Sequence, residues 1–196
     1  TTGYRNMALG YAAGYSMVDG TGMVAIGDRA LYSNTGNFNT AVGNLALYSN
    51  TTASNNTAVG YQAGYSNTGG AANVTYVGSG AGYYFTNGAN TAIGMQALYN
   101  NTTPSNTAVG YRAMYRTTTG GSNTAIGGNY NLISPLYNNT TGAYNSGFGG
   151  YDATASSLPA LYFNTTGAYN AAFGNGALAS NTTGPQSTAV GYRALY

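Results

Sequence analysis

Polar, small and β-branched residues alternate in one short phrase that returns along the whole chain. Asn56-Thr57-Ala58-Val59-Gly60-Tyr61-Gln62-Ala63-Gly64-Tyr65 is one copy of it. The stretches 39–48 and 106–115 are others. The glycine that ends each Thr-Ala-Val-Gly serves as an anchor. Anchors fall at Gly10, Gly27, Gly43, Gly60, Gly78, Gly94, Gly110, Gly127, Gly149, Gly174 and Gly191, mostly 16 to 18 residues apart. An alanine commonly follows three residues later and a tyrosine five later. A fixed period of this length marks a repeat architecture in which each unit is one turn of a stack.

Thr-Ala-Val/Ile reads as a short strand. Ala-Leu-Tyr reads as a second extended piece, and polar runs such as 49–55 read as corners rich in turn formers. A helix is excluded, because each interior glycine costs about 1 kcal/mol in one and no 3.6-residue apolar stripe survives. The expected fold is all-β: a parallel β-solenoid (β-roll or β-helix) of about eleven 16–18-residue coils. Residues 1–196 form a single solenoid domain on the order of 50 Å long, at the usual inter-strand spacing. Two coils are longer. Their extra residues, 128–135 and 150–160, sit in one corner, and the phrase resumes in register at Tyr137 and Tyr162.

In-register stacking sets like on like. The expected apolar ladder is Val42, Val59, Val77, Ile93, Val109, Ile126 and Val190. The expected aromatic ladder is Tyr15, Tyr32, Tyr48, Tyr65, Tyr83, Tyr99 and Tyr115. Strand alternation puts Thr57 and Val59 on one face and Ala58 on the other. The expectation is that Val59 faces the interior and Ala58 the outer or intersubunit face. Both termini break off within the pattern without a polar cap, which predicts that the ends stack on copies of the protein or continue into more of the same chain.

Composition narrows the function. Charged residues are 4% of the chain, and Lys, Glu, His, Cys and Trp are absent. The usual bases and activated nucleophiles are therefore missing, and an enzyme is not expected. Asp19, Asp28 and Asp152 lie in different units and supply neither a paired acid site nor a repeated calcium-binding set, so no catalytic residue, metal site or cofactor is assigned. A net charge of +2 from scattered arginines does not make a nucleic-acid patch. No apolar run approaches the roughly 20 residues that span a bilayer. Arg29, Arg112 and Arg193 share one phase of the repeat, two past an anchor, which marks that position as exposed.

Asn-x-Ser/Thr acceptors begin at Asn50, Asn55, Asn73, Asn100, Asn101, Asn138, Asn139, Asn164 and Asn181, nearly all in the polar corners. They are candidate glycosylation sites, and covalent glycans would supply solubility to a chain this poor in charge. The tyrosine ladder admits two readings, a sugar-stacking platform or packing along the rod.

The phrases at 56–65 and 90–99 resemble the repeats of bacterial surface-fibre and phage tail-fibre-like proteins. More distantly they are similar to the head repeats of trimeric autotransporter adhesins. The resemblance covers almost the whole chain. It implies a parallel β-roll, often trimeric, exposed at a cell surface or on a virion. The expected role is a structural subunit or segment of an extracellular filament. Its partner would be itself, as a head-to-tail polymer or a homotrimer. The alternative is an adhesin or tail-fibre shaft that binds host-surface glycan or a receptor, with the two insertions as its candidate recognition elements.

Overall fold

The computed structural model describes residues 3–68, 70, 72–85, 87–129, 133–150 and 157–196. Eleven three-residue strands form one parallel sheet. They are β1 (Met7–Leu9), β2 (Val24–Ile26), β3 (Thr40–Val42), β4 (Thr57–Val59), β5 (Thr75–Val77), β6 (Thr91–Ile93), β7 (Thr107–Val109), β8 (Thr124–Ile126), β9 (Ser146–Phe148), β10 (Ala171–Phe173) and β11 (Thr188–Val190). Their order in the sheet is their order in the chain. Each pairs in step with the next, as in Thr40↔Thr57, Ala41↔Ala58, Val42↔Val59. The chain is a β-solenoid, and both long coils keep this register: β8 pairs with β9 and β9 with β10 without a slip.

The second segment of the coil is not extended. The residues two and four past most anchors adopt left-handed backbone, as at Arg29 (φ 50°) and Leu31 (φ 51°), or Leu45 (φ 59°) and Leu47 (φ 49°). Ala-Leu-Tyr is therefore a corner. Its amides still bond along the stack: Leu45 N–H donates back to Asp28 C=O (2.9 Å), and Leu47 N–H donates forward to Ala63 C=O (2.9 Å). A non-glycine residue there costs about 1–2 kcal/mol. Complete burial of a leucine contributes about 1.5–3 kcal/mol, and Leu31, Leu47, Leu98, Leu136 and Leu161 are all fully buried. The corner conformation is thus offset by the core residue it delivers.

The interior runs opposite to the expectation for the strand. Ala25, Ala41, Ala58, Ala92, Ala108, Ala125 and Ala172 are fully buried, while Val59 is 37% exposed and Ile93 40%. The Val/Ile ladder exists, in register, but on the outer face. The reason is the width of the coil. The space behind each strand is already filled by the corner alanine and leucine and by buried asparagines, leaving room for little more than a methyl group.

One coil breaks the rule and shows its logic. In β5 the central residue is Tyr76, fully buried. The leucine position is glycine both in its own coil (Gly82) and in the preceding one (Gly64). A methyl group on Gly82 would lie 2.6 Å from the Tyr76 ring, and one on Gly64 would lie 3.0 Å from it. One tyrosine replaces one alanine and two leucines.

Candidate functional site

The features with chemical character are columns that run the length of the rod. The first is an asparagine column four residues before the anchor. Asn39, Asn56, Asn90, Asn106, Asn123, Asn145 and Asn170 are buried. Asn106 is typical. Its Oδ1 accepts from Asn123 N–H of the next coil (2.9 Å), and its Nδ2 donates to Gly120 C=O (3.1 Å). Asn145 does the same with Asn170 N–H (3.0 Å) and Gly167 C=O (2.7 Å). Each side chain therefore spans two coils, and its oxygen closes a backbone N–H of the next coil that would otherwise be buried unpaired, at about 1–3 kcal/mol; the carbonyls are shared with a second donor, Gly120 C=O with Thr103 Oγ1 (2.8 Å) and Gly167 C=O with Asn164 Nδ2 (2.9 Å).

The second column is seven residues past the anchor in coils of ordinary length and two past Tyr137 and Tyr162 in the long ones, and five of the nine candidate glycosylation asparagines belong to it. Asn50, Asn101, Asn139 and Asn164 have no exposed surface. Asn164 Nδ2 donates to Asn139 Oδ1 (2.8 Å) and to Gly167 C=O (2.9 Å), and Asn181 Nδ2 donates to Asn164 Oδ1 (2.9 Å). Asn50 Nδ2 likewise donates to Asn34 Oδ1. The four buried amides are closed to a glycosyl group in the folded rod. Asn100 Nδ2 donates to Tyr115 C=O (3.0 Å) and Asn138 Nδ2 to Tyr162 C=O (3.0 Å). Asn55 and Asn73 alone of the nine are exposed.

The threonine of these triplets is equally structural. Thr102, Thr118, Thr140 and Thr165 each direct backbone N–H and side-chain Oγ1 at the carbonyl of the corresponding threonine one coil on. In Thr118 these bonds to Thr140 C=O are 2.9 and 3.1 Å. An Asn-Thr-Thr corner is thereby what the stack requires, independently of any sugar. The missed signal was phase: sequons scattered by chance would not fall on one position of the repeat.

The third column is aromatic. Tyr15, Tyr32, Tyr48, Tyr65, Tyr83, Tyr99, Tyr115, Tyr137 and Tyr162 stack face to face with no gap. Ring centroids are 5.0 to 5.9 Å apart and interplanar angles 6 to 21°. The rings cover one another's faces, leaving edges and hydroxyls toward solvent, so an interior rung presents no free face to a sugar. Burial, and then the neighbouring phenols, push the Tyr83 and Tyr99 hydroxyls above their usual pKa. The arginines lie against this and adjoining aromatics: Arg112 over Tyr111 and Tyr115, Arg116 over Tyr137, Arg29 over Tyr11. Arg29 is exposed and Arg112 half-buried, with its Nε donating to Gln96 Oε1 (2.6 Å).

The outer sheet face carries the fourth column. It is β-branched from Ile26 to Ile126 and aromatic in β9 and β10, where Phe148 and Phe173 stack at 4.8 Å. Beside them Tyr144 and Tyr169 stack at 4.9 Å and are more than half exposed. Asp19 is exposed. Asp28 is half-buried and accepts from Asn44 Nδ2 (3.4 Å). Asp152 and most of the 150–160 insertion lie outside the described residues, as do 130–132 of the other. Among the described residues no three His, Cys, Asp or Glu side chains come together, and no helix is long and apolar enough to cross a membrane. Comparison with protein families, with curated proteins and with solved structures finds no match to this chain.

Proposed function

We propose that this chain is a structural segment of an extracellular filament, in which coils of one copy continue onto coils of the next. The supporting observation is the unbroken parallel stack: the strands follow one another in chain order, each in register with the next, so one face of a coil is the complement of the opposite face of its neighbour. Such a surface is heterologous, and repeating it between copies extends a rod rather than closing a ring.

Electron microscopy of the purified chain over a concentration series tests the reading: rods that lengthen beyond a single copy, with an axial reflection near 4.8 Å, are the expected result. Rods of single-copy length at every concentration would refute it. On this reading a glycan coat is carried at Asn55 and Asn73.

Recognition of a glycan or receptor is the second reading, and one observation favours it. The exposed tyrosines Tyr144 and Tyr169 and the stacked Phe148 and Phe173 flank the small residues Ser146 and Ala171, where the outer face departs from the β-branched pattern of β2 to β8. Glycan-array binding lost on Tyr144→Ala plus Tyr169→Ala would favour it over a purely mechanical role. An empty array with the unaltered chain would exclude it.

A further inference from the structure

Nine phenols of the tyrosine column stand in one row, each inner ring centred 5.0 to 5.9 Å from two others. Every ring is tethered at the same position of its coil, and the row is at the rod surface, so an oxidant in solution reaches it. The spacing is tightest over Tyr15–Tyr32 and Tyr65–Tyr83–Tyr99, at 5.0 Å, and widens to 5.5 and 5.9 Å where the long coils displace Tyr137 and Tyr162.

We propose that this column is a site of oxidative phenol coupling, which ties neighbouring coils together covalently as dityrosine. The co-reactant is a one-electron oxidant, such as a peroxidase supplied with hydrogen peroxide. Each of two adjacent phenols loses one electron to the oxidant and its hydroxyl proton to water. The two phenoxyl radicals join through the ring carbons ortho to oxygen, forming one C–C bond. The hydrogen on each of those carbons then moves to its oxygen and restores both phenols. Overall, two tyrosines and one hydrogen peroxide give one dityrosine and two waters.

Holding both partners in contact makes coupling an intramolecular event, with the large effective concentration this brings. The rings swing from face-to-face to edge-to-edge to bond, which half-exposed side chains can do. Each link closes a covalent loop of one coil, so oxidation hardens the rod without adding a residue. The inference rests on the stack and is independent of whether the rod polymerises.

The experiment oxidises the full chain at high dilution with a peroxidase and hydrogen peroxide. Dityrosine fluorescence is followed and the linked peptides are mapped by mass spectrometry. The expected result is loss of two hydrogens per link within single chains. Linked pairs should be one coil apart, chiefly Tyr15–Tyr32, Tyr65–Tyr83 and Tyr83–Tyr99, with Tyr137–Tyr162 the poorest. Tyr65→Phe keeps a ring in the stack and so keeps the fold. It should erase the Tyr48–Tyr65 and Tyr65–Tyr83 links and spare Tyr32–Tyr48. Links that appear only between molecules, that favour Tyr61 or Tyr192 outside the column, or that survive unchanged in yield and pairing after unfolding in denaturant would each overturn the proposal.

Discussion

Replacing an anchor glycine isolates the contact on which the stack depends. Gly60 has φ +136°, and an added Cβ would sit 2.6 Å from the Gly78 carbonyl oxygen. Two costs follow. The backbone region is nearly closed to residues with a side chain, at about 1–3 kcal/mol. Ordinary contact begins near 3.4 Å, so the coil of β5 must also recede by about 0.8 Å. The bonds from Gly78 N–H to Val59 C=O and from Gly80 N–H to Tyr61 C=O are both 2.8 Å, and that shift carries them beyond useful length. At about 1 kcal/mol apiece, with the dispersion lost around them, the second cost is about 2–3 kcal/mol.

Gly191 has φ +123° and nothing within 4 Å of its Cβ position, so it carries the first cost without the second. End coils of a repeat protein fray, and the fair partner for Gly191→Ala is therefore Gly10→Ala. Gly10 is also in a terminal coil, but its Cβ would lie 2.5 Å from the Gly27 carbonyl. Hydrogen exchange and denaturant titration should rank Gly60→Ala as the most damaging, Gly10→Ala next and Gly191→Ala mildest. The last two should differ by about 2 kcal/mol. Equal destabilisation by Gly10→Ala and Gly191→Ala would mean that coil-to-coil backbone contact is not what fixes these glycines.

Asn106→Ala should cost about 1–3 kcal/mol in chemical denaturation, because it strands Asn123 N–H while Gly120 C=O keeps the Thr103 hydroxyl; Asn55→Ala, at an exposed corner, should cost about 1 kcal/mol or less, through its left-handed backbone (φ 62°) alone. Tyr76→Ala should cost about 3–5 kcal/mol, and adding Gly64→Leu with Gly82→Leu should recover at least half of it. A triple variant no more stable than the single one would show that these three residues do not share one space. Burial holds the hydroxyls of Tyr76, Tyr83 and Tyr99 above the usual phenol pKa, so the folded state keeps protons that the unfolded chain releases. Stability should be intact below pH about 10 and fall as pH rises through the folded values, checked by melting curves beside tyrosinate absorbance.

The fold was legible because the repeat states it many times. Period, strand position, register across the insertions and the tyrosine row all follow from phase. What the sequence hid was which face is inward. Val59 is larger and more apolar than Ala58, and burial preference alone sends the valine inside. The deciding residue is Asn56, two before the alanine and thus on its side of the strand. Once Asn56 must be inside to bond the coil above, Ala58 follows it and Thr57 and Val59 go out. The corner was misread for a related reason. Ala46-Leu47-Tyr48 has the composition of a strand, and only the left-handed backbone at Leu45 and Leu47 bends it. The acceptor triplets looked like surface chemistry because Asn and Thr are usually exposed, whereas here they serve as internal hydrogen-bonding groups.

The same geometry accounts for the low charge content. Two like charges in adjacent coils of one column would stand about 4.8 Å apart. That separation costs about 1 kcal/mol in water and about 3–4 kcal/mol at the effective dielectric of a protein surface, repeated at every rung. A neutral amide in the same place gains two bonds. The charges this chain does hold obey the constraint. Arg29, Arg112 and Arg193 share a column but lie in the coils of β2, β7 and β11, never in neighbours. Comparing two arginine substitutions is the sharpest test of that account. Gln62→Arg stands two coils from Arg29 and should be tolerated. Gln96→Arg, which would stand beside the native Arg112 one coil on and gives up the bond from Arg112 Nε to Gln96 Oε1, should cost at least about 1 kcal/mol more than Gln62→Arg, an excess that added salt reduces.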